Sequence, residues 1–170
     1  MTTLSVELNK SNPTNFELTF PLIPGQTEIG ASNELILNIH GAVLPAISIP
    51  EIERNWQNTK GKIAGGPVEF EIMQVQFIVD AQFLNWRLLR NWMMYISNNK
   101  DKMNEHYANY VVDSTLRIID NFNNDVIGIS FVGMWPMNLQ EVSFSMKEGE
   151  IMLEGGATFT YDYFTVKENI

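Results

Sequence analysis

Residues 68–98 read VEFEIMQVQFIVDAQFLNWRLLRNWMMYISN, and a change of period inside this stretch decides the fold class. Before Val79 the apolar residues recur every second position, Val68, Phe70 and Ile72 on one parity and Val75, Phe77 and Val79 on the other. A half-buried strand hides one parity, so the switch predicts a bulge near Ile72 and Met73, or burial of both faces. After Asp80, a residue suited to capping, the spacing becomes three-four. Ala81, Leu84, Leu88, Trp92 and Tyr95, with Leu89 and Ile96, make one helical stripe. The helix is expected over residues 80–98. A second stripe, Phe83, Trp86, Arg90 and Met93, makes it apolar over more of its circumference than one contact needs, which predicts a second packing surface.

On either side of this stretch the pattern is of strands. Phe16, Leu18 and Phe20 alternate with polar residues until Pro21 and the Pro24-Gly25 turn stop them. Leu35, Leu37 and Ile39 alternate in a second strand that Gly41 and Pro45 close. Leu116 and Ile118, then Ile127, Ile129 and Phe131, flank an Asn-rich turn at 120–125 whose residues tolerate positive φ. Val142, Phe144 and Met146 lead through Glu148-Gly149-Glu150 into Ile151, Leu153, Ala157, Phe159, Tyr161 and Tyr163, a final hairpin. Seven or eight strands around one helix give a mainly β fold, an antiparallel barrel or sandwich with one packed helix. At 170 residues the chain is read as a single domain over 1–170, with no repeat, linker or low-complexity tract.

Residues 46–66 read differently, as a long arm or open hairpin. They hold Pro50 and three glycines, Gly61, Gly65 and Gly66, with weak alternation at Ile47, Ile49 and Ile52 and mixed charges at Glu51, Glu53, Arg54, Lys60 and Lys62 around Trp56. A connector this long is read as a hairpin arm. Trp56, a lone aromatic among charges, is its expected anchor on a partner, with the five charged residues setting register around it.

Composition narrows the function. Hydrophobic residues make up 45% of the chain, enough for a packed core, and charged residues only 18%, below the usual ~25%. Eleven Lys and Arg against 20 Asp and Glu leave a net charge of −9, which argues against binding of nucleic acid through clustered cations and against docking on an anionic membrane. With no Cys there is no disulfide frame, thiolate metal site or cysteine nucleophile. The amino-terminal residues lack the apolar core of a secretory signal. The longest near-apolar run, residues 126–135, is about half of the ~20 residues a membrane helix needs. Neither a membrane anchor nor a cofactor is expected.

No catalytic pattern survives inspection. His40 lies on a strand face opposite the apolar residues and His106 in a polar loop, and neither supports a triad. Residues 128–133, GISFVG, have one residue too many for a nucleophile elbow and sit in a strand pattern. The glycines of 60–66 lead into Pro67 and a strand, not into a phosphate-binding helix start. Asn121, Asn123 and Asp125 lack the Gly and the closing Glu of a calcium loop. Glu148, Glu150 and Glu154 read as a solvated acidic turn. A hydrolytic or carbohydrate-modifying enzyme on a β scaffold would need a carboxylate pair facing a pocket. A structural or interaction role leads, and the chain is expected not to be an enzyme.

Several segments, in order, resemble the tail tube protein of contractile-tailed bacteriophages. Ala42-Val43-Leu44-Pro45-Ala46 is similar to that family's turn into a long arm, and Lys60-Gly61-Lys62-Ile63-Ala64-Gly65-Gly66 to the arm's return. The strand passing into an aromatic helix over 68–98 follows. Residues 132–142, VGMWPMNLQEV, and the ending Asp162-Tyr163-Phe164 complete the resemblance, although the family often ends in a tryptophan where Phe164 stands and six further residues follow here. The resemblance covers about residues 34–164. It implies six copies in a ring, neighbouring strands joined into one inner barrel, and rings stacked into a tube that conducts DNA from capsid to host when a surrounding sheath contracts. The implied partners are further copies of the chain, the sheath protein, and baseplate and tail terminator proteins, with DNA passing through without specific binding. The virion, assembled in the host cytoplasm, is the implied location.

In that setting the arm residues join subunits and rings, while Phe83, Trp86, Arg90 and Met93 meet a neighbour or the sheath. Glu69, Glu71, Glu148, Glu150 and Glu154 are the candidate acids of the bore. Six times −9 is −54 formal charges per ring, and an acidic bore repels phosphate. A tube protein of a contractile injection or type VI secretion system, or a tube-initiating baseplate protein, shares the architecture and remains an alternative.

Overall fold

The computed structural model describes residues 15–21, 23–24, 39–57, 59–98, 107–120, 124–144 and 152–168, with the side chains of Trp56 and Glu168 set aside. Eleven strands and one α-helix occur among them: β1 Phe16–Thr19, β2 Ile39–Val43, β3 Ile47–Ser48, β4 Glu51–Trp56, β5 Thr59–Ala64, β6 Glu69–Phe70, β7 Met73–Ile78, α1 Leu84–Asn98, β8 Val112–Ile119, β9 Asp125–Leu139, β10 Glu154–Thr160 and β11 Tyr163–Glu168. All described strand pairs are antiparallel.

The long strand β9 organises the sheets. Its first part pairs with β8 on one edge and with β11 on the other, while residues 135–139 pair with β10. One sheet therefore runs β1-β8-β9-β11 and the second β9-β10-β7-β2, joined where β9 passes from one to the other. The passage falls at Gly133, whose φ of 69° is a conformation that only glycine adopts without cost. Pro136, which cannot donate to a ladder, is accommodated where the β9–β10 register shifts between Thr158 and Phe159.

Between the sheets and α1 lies one core that includes Leu18, Met73, Val75, Phe77, Leu88, Leu89, Trp92, Phe131, Met134, Ala157 and Phe159. The alternation of β7 is legible in it: Met73, Val75 and Phe77 are buried while Gln74 and Gln76 are exposed. The mainly β class, the antiparallel pairing and the single long helix match the reading of the sequence.

Four boundaries differ. The stretch 68–79 is two strands, because the chain leaves β6 and enters another sheet at Glu71-Ile72, so Val68 and Ile72 are exposed. The parity switch marks this change of partner. The helix begins at Leu84, not Asp80, and Ala81 is exposed in a turn. Phe83, with φ of 57°, breaks helical geometry just before it. Asp80 still caps from a distance, its Oδ1 accepting from Asn85 N at 3.3 Å. The second strand continues through Gly41 to Val43, while Leu35 and Leu37 lie outside the described residues. Finally, β10 pairs with β7 and β9, and the chain turns at Tyr161-Asp162 so that β11 can pair with the earlier part of β9. Val142 and Phe144 belong to no strand, and Met146 and Ile151 lie outside the described residues.

Candidate functional site

Three surfaces could carry an assembly function: the arm, the exposed side of α1, and the four-stranded sheet. The arm is a hairpin built in two tiers. β3 pairs with β6 at its base and β4 with β5 beyond. Gly65 N donates to the Pro50 carbonyl at 2.8 Å and Glu71 N to the Ala46 carbonyl at 3.0 Å, closing the base. Every residue of β5 is exposed.

Four of the arm's charged residues are brought together in pairs on diagonals across the hairpin, Lys60 with Glu53 at 3.1 Å and Lys62 with Glu51. These contacts are solvent-exposed and contribute little to stability, but they hold the hairpin's register. Ile47, Ile49, Ile52 and Ile63 are each about half exposed or more, and Ile52 stands directly opposite Ile63. Arg54 lies opposite Gly61, and Trp56 lies opposite Thr59 at the tip, its side chain outside the described residues. Apolar exposure on a hairpin makes the arm a candidate interaction surface.

The second helical stripe is divided. Phe83 and Trp86 are half-buried against the core, Met93 is half-buried, and Arg90 is exposed. Phe83 stacks on Phe144, with ring centroids 6.3 Å apart, and Phe144 is 75% exposed. The helix start is held by a feature that nothing in the sequence signals. Asn85 is fully buried, its Nδ2 donating to the Ile78 carbonyl at 2.7 Å and its Oδ1 accepting from Trp86 N at 2.8 Å. This satisfies one of the orphan amides of the first turn and ties α1 to the end of β7.

In the four-stranded sheet one face is core and the other carries the exposed Gln74 and Gln76. No described strand pairs with the outer edge of β2 or with the second edge of β9 at residues 135–139. Of the five glutamates read as bore acids, Glu154 opens β10, Glu69 lies in β6 at the base of the arm and Glu71 in the break before β7. Glu148 and Glu150 lie outside the described residues. On the other sheet, Arg117 bridges Glu17 at 2.9 Å and Asp125 at 2.6 Å, and its pKa is raised chiefly by the hydrogen bond to Asp125. Among the described residues no group of three or more His, Cys, Asp or Glu could hold a metal, and no helix is long and apolar enough to cross a membrane.

The corner where β10 turns into β11 is pinned by Tyr107 Oη, which donates to Asp162 Oδ2 at 2.8 Å. Gly133 N donates to Asp113 Oδ1 at 3.0 Å beside it. A side chain at Gly133 would collide with both Asp162 and Tyr107. Burial, and then the Asp162 hydrogen bond, pushes Tyr107 up to about 12. Burial and Glu71 push Tyr161 up to about 12, and its hydroxyl donates to the Glu71 carbonyl at 2.7 Å. A tyrosine pKa raised by folding stabilises the fold fully below the free value near 10 and ceases to as pH rises through the folded value. The unfolding temperature should therefore fall between pH 10 and about 12, and the double variant Tyr107→Phe, Tyr161→Phe should be less steep there.

These surfaces sit on a fold with known relatives. The family model described as "Phage tail tube protein" matches residues 11–167, and the chain belongs to that family. It is 28% identical over 166 residues, 95% of this chain and 91% of the relative, to the tail tube terminator protein of Enterobacteria phage T4. Among solved structures it is similar to the sheath/tube terminator of the PVC extracellular contractile injection system, at a TM-score of 0.67 and 14% identity over 93% of this chain and 96% of that one. It is also similar to a chain of the PVC sheath-tube complex, at a TM-score of 0.64 and 14% identity over 98% and 99%. The chain is thus a tail tube family member whose fold is that of tube and terminator subunits.

Proposed function

We propose that six copies form a ring in line with the inner tube of a contractile phage tail, and that this ring stands at the tube's end as its terminator. The ring reading is carried by the four-stranded sheet, which has one face covered by the rest of the subunit and both edges open among the described residues. Joining edges from copy to copy removes the exposed ladder that otherwise invites aggregation. Six such sheets give 24 strands. At ~4.8 Å spacing and ~40° tilt their backbone circle is roughly 48 Å across, wide enough for a DNA duplex to pass. The place at the tube's end is supported by the near full-length likeness to a terminator.

In this role the arm grips the neighbouring copy within the ring as well as the adjoining ring, the exposed side of α1 and Phe144 face the sheath, and the ring is assembled in the host cytoplasm and carried in the virion. Replacing residues 51–64 by a short Gly-containing turn should leave the subunit folded with a melting temperature close to that of the full chain, because the arm contributes nothing to the core cluster. The concentration at which half the protein is assembled should rise by about tenfold or more, as befits loss of an interface anchor. An unchanged midpoint by sedimentation would remove the arm from the assembly.

A second reading, a repeating tube subunit, is favoured by the likeness to a chain of the sheath-tube complex. Negative-stain microscopy at high protein concentration separates the two. A terminator gives discrete rings, and a repeating subunit gives hollow rods.

A further inference from the structure

The base of the arm is fastened to the body of the subunit by aromatic rings. Among the described residues, β4 and β5 pair only with each other. Below them Phe70 of β6 stands opposite Ile47 of β3. Its ring reaches the corner where β10 turns into β11, with centroids 5.2 Å from Phe164 and 6.2 Å from Tyr161. Those two rings lie in turn on Phe131, at 5.6 Å and 5.0 Å, and Phe131 is fully buried in the core. The Tyr161 hydroxyl donates to the Glu71 carbonyl at 2.7 Å, and Glu71 N donates across the hairpin to the Ala46 carbonyl at 3.0 Å. Both legs of the arm are thereby tied to one corner. Pro45, buried where the outgoing leg leaves β2, fixes a backbone torsion on that leg.

We propose that Phe70, Tyr161 and Phe164 form a clasp that sets the arm's direction in the free subunit, so that the arm meets the neighbouring copy already aimed. The three are positioning residues, acting through the hairpin and not by touching the partner. The inference rests on the reading of the arm as the gripping element. A clasp is needed because β6 ends at Phe70 and β7 begins at Met73 in another sheet, so no continuous ladder carries the direction of the body into the return leg. Edge-on and tilted ring contacts are directional, and they fix an angle where aliphatic contacts fix only a distance. A hairpin free to swing presents Ile52 and Ile63 correctly for a fraction of the time, and the apparent affinity falls by that fraction. In a preset hairpin that ordering is complete before association.

The chain has no cysteine, so Asn55→Cys in β4 and Ser97→Cys on α1, both exposed, place one spin label on the arm and one on the body. Their distance distribution is measured by double electron–electron resonance on the monomer, verified by light scattering. Half-assembly concentrations are measured on the unlabelled chains. The original should give one narrow distribution. Phe70→Ala should broaden it about twofold and raise the half-assembly concentration about tenfold. Its melting temperature should stay close to the original's, because Phe70 stands outside the core cluster. Phe70→Tyr keeps the ring and should restore both readings. Tyr161→Phe keeps every ring, loses only the hold on the Glu71 carbonyl, and should fall between. An original arm as broadly distributed as that of Phe70→Ala overturns the inference, as does a broadened arm that assembles at the original concentration. Assembly impaired by Phe70→Ala with the distribution still narrow overturns it too, since Phe70 would then touch the partner itself. Unchanged assembly on replacing residues 51–64 removes the arm reading and the positioning role with it, while the distributions still report whether the clasp holds.

Discussion

Trp92→Ala should lower the free energy of unfolding by about 4 kcal/mol, near the top of the range for truncating a large core side chain. Trp92 is fully buried among the core residues between α1 and the sheets, with its ring 6.3 Å from that of Phe159. Its Nε1 donates to the Tyr110 carbonyl at 2.7 Å, so truncation opens a cavity and also strands a carbonyl. For a domain of this length the melting temperature should fall by roughly 8–16 °C. Trp92→Phe keeps most of the volume and loses only the donor, and should cost about 1–2 kcal/mol. A loss below 1 kcal/mol for the alanine variant in a denaturant titration would mean that α1 is not seated on this core.

Asn85→Leu should cost about 3 kcal/mol although it adds apolar surface to a buried site, because two strong partners lose their mates and each unsatisfied buried group costs about 1–3 kcal/mol. The Ile78 carbonyl loses its 2.7 Å donor, and Trp86 N its 2.8 Å acceptor. Asp80 N, at 3.4 Å from Asn85 Oδ1, is left without that contact as well. Asn85→Asp restores the acceptor but sets a carboxylate against the Ile78 carbonyl. Burial then raises its folded pKa, so its penalty should shrink as the pH is lowered and grow as the pH rises through that value. An Asn85→Leu protein as stable as the original would show that the β7–α1 corner is held by packing alone.

These two residues also mark the limits of what was legible in the sequence. Trp92 sits on a three-four stripe with Leu88 and Leu89, and local periodicity sufficed to place all three in the core. Asn85 is one helical polar residue among several, and its burial depends on where the end of β7 lies in space. The same division holds for strands. The alternations at Leu116-Ile118 and Ile127-Phe131 gave β8 and the start of β9, which pair through a local turn. That β9 continues through Pro136, and that β10 and β11 both lie along one of its edges, depends on long-range pairing that no alternation encodes.

The assembly surfaces divide similarly. The arm was visible because a run of Gly, Pro and mixed charge interrupts the strand pattern, and its diagonal ion pairs follow once a hairpin is assumed. The glutamates were harder. In an unbroken strand over 68–79 Glu69 and Glu71 would share the core parity of Met73, Val75 and Phe77, whereas Glu154 stands opposite Ile78 on the other face; the change of partner at Glu71-Ile72 keeps them out of the core and out of the inner sheet alike. The alternation Gln74-Val75-Gln76-Phe77 was the available signal for the exposed amides of β7. It passed as ordinary strand polarity because neutral amides announce neither catalysis nor charge.

The central claim, that open sheet edges close into a ring, is most directly tested by the mass of the assembled protein in solution. Light scattering across a concentration series should reveal a discrete species of six 19.4 kDa chains, about 116 kDa, that appears as a hollow ring in micrographs. A single 19.4 kDa species at every concentration and salt would contradict it.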